Sequence, residues 1–289
     1  MSTFEAQLLH WQSFFNDALS LHIERHYSDT DPVTAAIRYA LLAGGKRVRP
    51  ALCLMTAKAL GGDPKRAVPA ALAIEFVHTY SLVHDDLPCM DDDDLRRGKP
   101  TTHKVYGEAQ ALLAGDALLT DAFGLVAALP QPSTAAMVKE LANAAGGKGM
   151  VLGQSLDLYW TARPGASRSD LDRIHELKTG RLLGCAAALG ALAIEAPMAT
   201  VDRLRRFGEG LGLAFQITDD LLDEASTTGK SAGKDKESGK LTYLAMMPAT
   251  LARGAAAAVS EAAMSELSGI VTTGSELQQF AHWLLGRSS

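Results

Sequence analysis

Six aspartates, Asp85, Asp86 and Asp91 to Asp94, fall within ten positions and are followed at once by Arg96 and Arg97. Carboxylates this close repel one another unless a cation shares them, so the cluster asks for a hard divalent metal, and Mg2+ held together with a phosphate satisfies it. The two arginines then read as clamps for phosphate oxygens. A second acidic group, Asp219, Asp220 and Asp223, lies far downstream, and with Gln216 it falls at i, i+3, i+4 and i+7 on one helical face. A solvated charge run is the plain alternative for Asp91 to Asp94. Against it stands the apolar, helix-like segment Ala70 to Leu82, which leads into Asp85 and puts the first aspartates at the end of a buried helix facing a cavity.

Positive charge gathers elsewhere. Gly44-Gly45-Lys46-Arg47-Val48-Arg49-Pro50 ends one helix with two glycines that let the backbone approach a ligand, and presents Lys46 and Arg49 three residues apart. Taken alone, this is a helix C-cap with basic residues on the dipole; beside the acidic clusters it reads as a diphosphate grip. It is not a Walker A loop, which needs G-x-x-x-x-G-K-[ST] after a strand. His78, seven residues before Asp85, shares its helix face about 10 Å away along the axis. Lys178 and Thr179 precede Gly180 inside a helical pattern, which predicts a kink that turns them inward. The stretch 226–240, with three glycines and four lysines, reads as a flap able to close over an anion and carries Lys230 and Lys240.

The elements that must position these groups are helices. Phe4, Leu8, Trp11 and Phe15 recur at helical spacing, Ala51 to Leu60 and Ala70 to Leu82 flank a Gly-Gly-Asp-Pro turn, and Gly107 to Leu129 is rich in Ala and Leu. Gly146 to Asp157 contains four glycines where backbones or a ligand pass closely, with Gln154 and Asp157 on one face. Ser169 is the expected N-cap of the helix running towards Lys178. No strand pattern of alternating Val, Ile or Thr is present. The fold expected is all-α, one domain over residues 1–289, and 47% hydrophobic content allows a large core.

Net charge of −5 and a pI near 5.9 argue against a nucleic-acid binder. Three scattered cysteines without a C-x-x-C pair fit neither a disulfide framework nor a zinc site, and suit a reducing cytoplasm. The longest apolar run, Gly184 to Ile194, is too short to span a bilayer, so no membrane insertion is expected.

Together these motifs resemble the trans-isoprenyl diphosphate synthases, and among them most of all the bacterial farnesyl diphosphate synthases. Asp85-Asp86-x-x-x-x-Asp91 with Arg96-Arg97, and Asp219-Asp220-x-x-Asp223, are similar to the family's two aspartate-rich motifs; Gly44-Gly45-Lys46-x-x-Arg49-Pro50, Gly153-Gln154-x-x-Asp157 and Lys178-Thr179-Gly180 match its other signatures. The resemblance runs from about Gly44 to Tyr243. It implies a helical bundle around a deep central cavity, a homodimer, and three Mg2+ ions per site. By it, Gly45, Lys46, Arg49, His78 and Arg97 would hold isopentenyl diphosphate, and Asp85, Asp91 and Asp219 would bind Mg2+ with Asp86 and Asp223 assisting. Arg96, Lys178, Thr179, Gln216, Lys230 and Lys240 would surround the allylic diphosphate.

Chain length would then depend on what blocks the space beneath the first aspartates. Tyr80 lies five residues before Asp85, about 7 to 8 Å down the helix. The helical wheel puts Ser81 more squarely on the Asp85 face; the resemblance makes Tyr80 the stop for a fifteen-carbon product, with geranyl or geranylgeranyl diphosphate as alternatives. A terpene cyclase would show one such acidic motif and no need for Lys46, Arg49 and His78. A non-catalytic partner subunit would lack aspartates that are present here, and an EF-hand would need a D-x-D-x-D-G loop that is absent.

Overall fold

The computed structural model describes residues 3–130, 132–225 and 241–286. Two helices form the centre: α4 (Val68–Asp85), mostly apolar but carrying Glu75, His78, Ser81, His84 and Asp85, and α10 (Arg181–Leu192), apolar on every side. α4 buries Ala70 to Val77 with Thr79, Tyr80 and Val83, and α10 buries every residue from Leu182 to Leu192. Around them stand α3 (Val48–Ala59), α6 (Glu108–Ala127), α7 (Thr134–Ala145) and the long α11 (Met198–Ala225). The stripe Phe4, Leu8, Trp11, Phe15, Leu19 and Ile23 of α1 (Thr3–His26) covers α3, as its spacing predicts. The all-α expectation holds.

One feature departs from it. Leu95–Arg96 (β1) and Lys99–Pro100 (β2) pair antiparallel, with Leu95 opposite Pro100 and Arg96 opposite Lys99. The hairpin follows from its turn rather than from strand patterning. Arg97 at φ 55° and Gly98 at φ 76° both adopt the left-handed region that a tight two-residue hairpin requires. Gly98 takes this conformation freely, whereas Arg97 is anchored by its Nη1 donating to the Gly44 carbonyl.

A second correction concerns the helix leading to Lys178. Its N-cap is Ser167, not Ser169: α9 (Arg168–His175) opens with a capping box in which Ser167 Oγ accepts from the Asp170 amide and the Asp170 carboxylate accepts from the Ser167 amide. The expected kink is present as a π-helical turn, Glu176–Gly180, between α9 and α10.

Close backbone packing holds that turn in place. A Cβ at Gly153, on α8 (Met150–Trp160), would lie 2.3 Å from the Lys178 backbone nitrogen, and one at Gly212 on α11 would lie 2.6 Å from the Gly180 Cα. Both neighbours are backbone and cannot swing aside. Gly153→Ala is therefore expected to lower stability by about 1–3 kcal/mol, the usual cost of overpacking. A urea unfolding midpoint equal to that of the unaltered protein would contradict this account of the α8 contact.

Candidate active site

Positive charge converges on a cavity of about 560 Å³ lined by Gly45, Lys46, Arg49, Glu75, His78 and Arg97, among others. Its upper rim is the turn after α2 (Pro32–Leu41), where Gly44 and Gly45 have φ of 89° and 127°. Gly45 is required twice over, because a Cβ there would meet the Arg97 guanidinium at 2.3 Å. Arg49, in the first turn of α3, has Nη1 3.4 Å from His78 Nε2 on α4. Among the described residues Lys46, Arg49 and Arg97 form no salt bridge.

Burial pushes the Arg49 guanidinium down to about 10, opposed by Glu75 and reinforced by Arg97. Burial also holds His78 well below the usual imidazole value, with Arg49 and Arg97 adding to the effect. His78 is thus neutral at pH 7 and offers a hydrogen bond rather than a charge. Cations crowded together in this way are stabilised by an anion.

A second cavity, about 500 Å³, shares Arg49 and His78 with the first. Asp85, Gln154, Lys178 and Thr179 line it, and Tyr80, Ser81, His84, Met150 and Leu158 also contribute. Asp85 is the last residue of α4 and Asp86 its cap, and the chain then folds back so that the Asp91 amide donates to the Asp85 carbonyl at 2.8 Å. Burial pushes the Asp85 carboxyl up to about 6; Lys178 opposes the rise and Asp91 adds to it. Asp86 points elsewhere. It is buried and accepts from Nε of Arg96 at 2.6 Å, with Nη2 in ion-pair contact at 2.6 Å, while Arg96 Nη2 donates to Asp93 at 3.2 Å.

Asp86 and Arg96 thus pair with each other, a contact that neither shows nor contradicts the metal role expected of Asp86 and the diphosphate role expected of Arg96. Consecutive residues of a helix project about 100° apart, and here Asp85 and Asp86 line different cavities.

In the same lining, Lys178 Nζ pairs with Asp157 at 2.6 Å and Thr179 Oγ1 donates to Gln216 Oε1 at 2.9 Å. Gln216, Asp219 and Asp220 lie on α11, with Asp223 in its last turns. Asp220 accepts from the Tyr243 backbone amide at 2.8 Å and lies 3.8 Å from His175 Nε2. Lys230 and Lys240 lie outside the described residues.

Among the described residues, no three His, Cys, Asp or Glu side chains converge to enclose an ion by themselves. That donor set still fits Mg2+, which is usually held by one or two carboxylates and completed by water and substrate phosphates.

Two elements of the site were not expected. Arg47, between Lys46 and Arg49, is buried and bonds through Nη1 to Glu75, through Nη2 to the Leu41 carbonyl at 2.6 Å and through Nε to Asn16 at 3.2 Å. A lone carboxylate, Glu75, inside the apolar run Ala70 to Leu82 is the signal for it, since a buried charge needs a partner. The Lys178–Asp157 pair is the other. The three-residue step from Gln154 to Asp157 gave their shared face but not what they face.

A family model described as polyprenyl synthetase matches residues 30–269. The farnesyl diphosphate synthase of Geobacillus stearothermophilus is 44% identical over 278 residues, covering 93% of this chain and 93% of the relative. Geranylgeranyl pyrophosphate synthase 4 of Arabidopsis thaliana is 49% identical over 215 residues; they make up 72% of this chain and 58% of the plant protein, so the chain spans little more than half of that relative's length. Among solved structures, an apo FPP/GFPP synthase from Zymomonas mobilis superimposes with a TM-score of 0.86 at 34% identity, covering 97% of this chain and 99% of that one. The cation-lined and aspartate-edged cavities thus lie within a match that spans most of the sequence, and the chain belongs to the polyprenyl synthetase family.

Proposed function

We propose that this protein is a Mg2+-dependent trans-prenyltransferase that condenses isopentenyl diphosphate with dimethylallyl and geranyl diphosphates, with farnesyl diphosphate as the main product. The observation that carries the reading is the pair of cavities that share Arg49 and His78, one lined by Lys46, Arg49 and Arg97, which form no salt bridge among the described residues, and the other lined by Asp85. Two diphosphates suit two such compartments. The cation-lined one, with Gly45, Lys46, Arg49, His78 and Arg97, would take isopentenyl diphosphate, whose diphosphate is only a handle.

The allylic diphosphate would lie in the second compartment beside Lys178 and Thr179, with Asp85, Asp91, Asp219 and Asp223 as the residues for Mg2+. Bound Mg2+ supplies positive charge to the oxygens of a departing diphosphate. Lys178 adds its own charge to the same group. As the allylic C1–O bond breaks, its electron pair leaves with the diphosphate. The double bond of isopentenyl diphosphate supplies the pair for the new C–C bond, and a proton is then lost to an oxygen of the departed diphosphate. No side-chain base is required.

Thr179 lines this compartment with its hydroxyl proton committed to Gln216, so its lone pairs remain to stabilise passing positive charge without a proton to exchange. Buried Tyr80, in the same cavity, is the proposed chain stop. A longer product is the second reading, favoured by the similarity to a plant geranylgeranyl synthase. A homodimer is proposed through α6, whose outward side exposes Leu112 and Leu113 although the helix is apolar along its length. α6 is long and apolar enough to cross a bilayer, unlike the shorter run singled out in the sequence, yet Ala111, Ala114, Leu118, Ala122 and Val126 are buried in the bundle.

Labelled isopentenyl diphosphate offered with dimethylallyl or geranyl diphosphate should be incorporated with Mg2+ present and not after chelation by EDTA; no incorporation from either primer would refute the reading. Lys46→Ala, at a residue that lines only the first cavity, should raise KM for isopentenyl diphosphate about 10- to 100-fold, matching about 1.5–3 kcal/mol for a hydrogen bond to a charged group, and leave KM for the allylic substrate nearly constant. An equal rise in both constants would argue against separate compartments. Tyr80→Ala should move the product from fifteen to twenty carbons, read by chromatography, and an unmoved product would remove Tyr80 as the stop.

A further inference from the structure

Buried Tyr80 has a hydroxyl without a hydrogen-bond partner among the described residues. Its ring is therefore placed by packing alone. One turn later on α4, His84 meets that ring edge-on, with centroids 5.7 Å apart and planes at 79°. His84 is itself fixed: its Nε2 lies 3.0 Å from the Leu112 carbonyl of α6, and so carries the proton and donates it. The imidazole fits there because α6 has a glycine at the crossing point. A Cβ at Gly115 would lie 2.0 Å from His84 Nε2. Both Tyr80 and His84 line the cavity that Asp85 also lines.

We infer that His84 is the positioning residue for Tyr80, and that the two, bedded in the notch at Gly115, set where a growing chain stops. The inference rests on the chain-elongating reading above and adds a residue to it. Without the His84 ring behind it, the Tyr80 ring has no hydrogen bond to keep it in the path and can swing into the vacated notch. Length control is then a property of the α4–α6 contact and not of one aromatic side chain. Asp85, next to His84, keeps its own backbone bond to Asp91 in either case.

The test gives the unaltered protein, His84→Ala, His84→Gln, Tyr80→Ala and the His84→Ala/Tyr80→Ala double variant the same geranyl diphosphate, labelled isopentenyl diphosphate and Mg2+, and separates products by length. His84→Ala should raise the ratio of twenty- to fifteen-carbon product about tenfold, the scale on which apolar pockets discriminate. His84→Gln, whose amide can still donate to the Leu112 carbonyl, should return the ratio towards that of the unaltered protein. In the Tyr80→Ala background, His84→Ala should add little, because a residue that acts through another is silent once the other is gone.

An unchanged ratio in His84→Ala, or a full second shift in the double variant, overturns the inference and leaves the condensation reading standing. Should His84→Ala fail to fold, Gly115→Ala dislodges the same ring, and an unchanged ratio there overturns the inference equally. If the unaltered protein joins no substrates, the condensation reading falls and takes the inference with it.

Discussion

Arg47 and Glu75 form an ion pair whose side chains are 4% and 2% exposed, and the rest of the cation-lined cavity depends on it. Arg47 has a left-handed backbone at φ 46°, a conformation that costs a non-glycine residue about 1–2 kcal/mol. It is held there by α1 through Asn16, by the end of α2 through Leu41 and by α4 through Glu75. Breaking one partner of such a pair costs about 3–5 kcal/mol because the survivor is left charged and dry. The pair also occupies Glu75. Arg49 and Arg97 still feel its charge, but its hydrogen bond goes to Arg47, and the cations on either side are left to face the cavity.

The acidic side is organised by the opposite device. In each Asp-Asp pair the second member is tied into the protein: Asp86 to Arg96, and Asp220 to the Tyr243 amide. Because neighbours on a helix diverge by about 100°, a doubled aspartate is a natural way to anchor a helix end with one carboxylate while the other is presented elsewhere. Asp93 extends the device by sharing Arg96, so part of the acidic run is scaffolding for an arginine. The Arg97–Gly98 turn then brings the next guanidinium across to Gly44. One short hairpin in this way links the acidic cluster to the cationic rim.

Much of this was legible in the sequence. Helices α4, α6 and α11 follow from apolar periodicity, and the placing of Asp85 at the end of a buried helix follows from the run before it. Lys46, Arg49, His78 and Arg97 come together as their motifs implied, and so do Lys178 and Thr179 with Asp85. What escaped is what depends on pairing across the fold. A sequence shows that Asp86 and Arg96 are charged, but not that each satisfies the other; nor does it show that Ser167, two residues before Ser169, has the extended backbone that a cap requires. The hairpin escaped because its signal lies in the turn, where an arginine adopts a conformation usual for glycine. The Gly153 contact escaped because a missing Cβ has meaning only once the opposing backbone is known.

Under the proposed function, the two compartments would neutralise an anion in different ways. Two unit charges 4 Å apart interact by about 4 kcal/mol at an effective dielectric of 20, so diphosphates in adjoining cavities repel strongly unless charge lies between them. Arg49 stands in the shared wall and screens one from the other, while neutral His78 beside it adds no charge to the wall. In the first compartment the compensating charge belongs to Lys46, Arg49 and Arg97, fixed to the protein and unchanged whether or not a bond breaks. Such a setting holds an anion without favouring its departure. In the second, burial raises the Asp85 carboxyl against the pull of Lys178, and Mg2+ held at the aspartates would add positive charge for an anion there. Charge placed that way acts on the oxygens where negative charge grows as the C–O bond opens. The ring of fixed cations therefore suits the diphosphate that stays, and the aspartate edge suits the one that leaves.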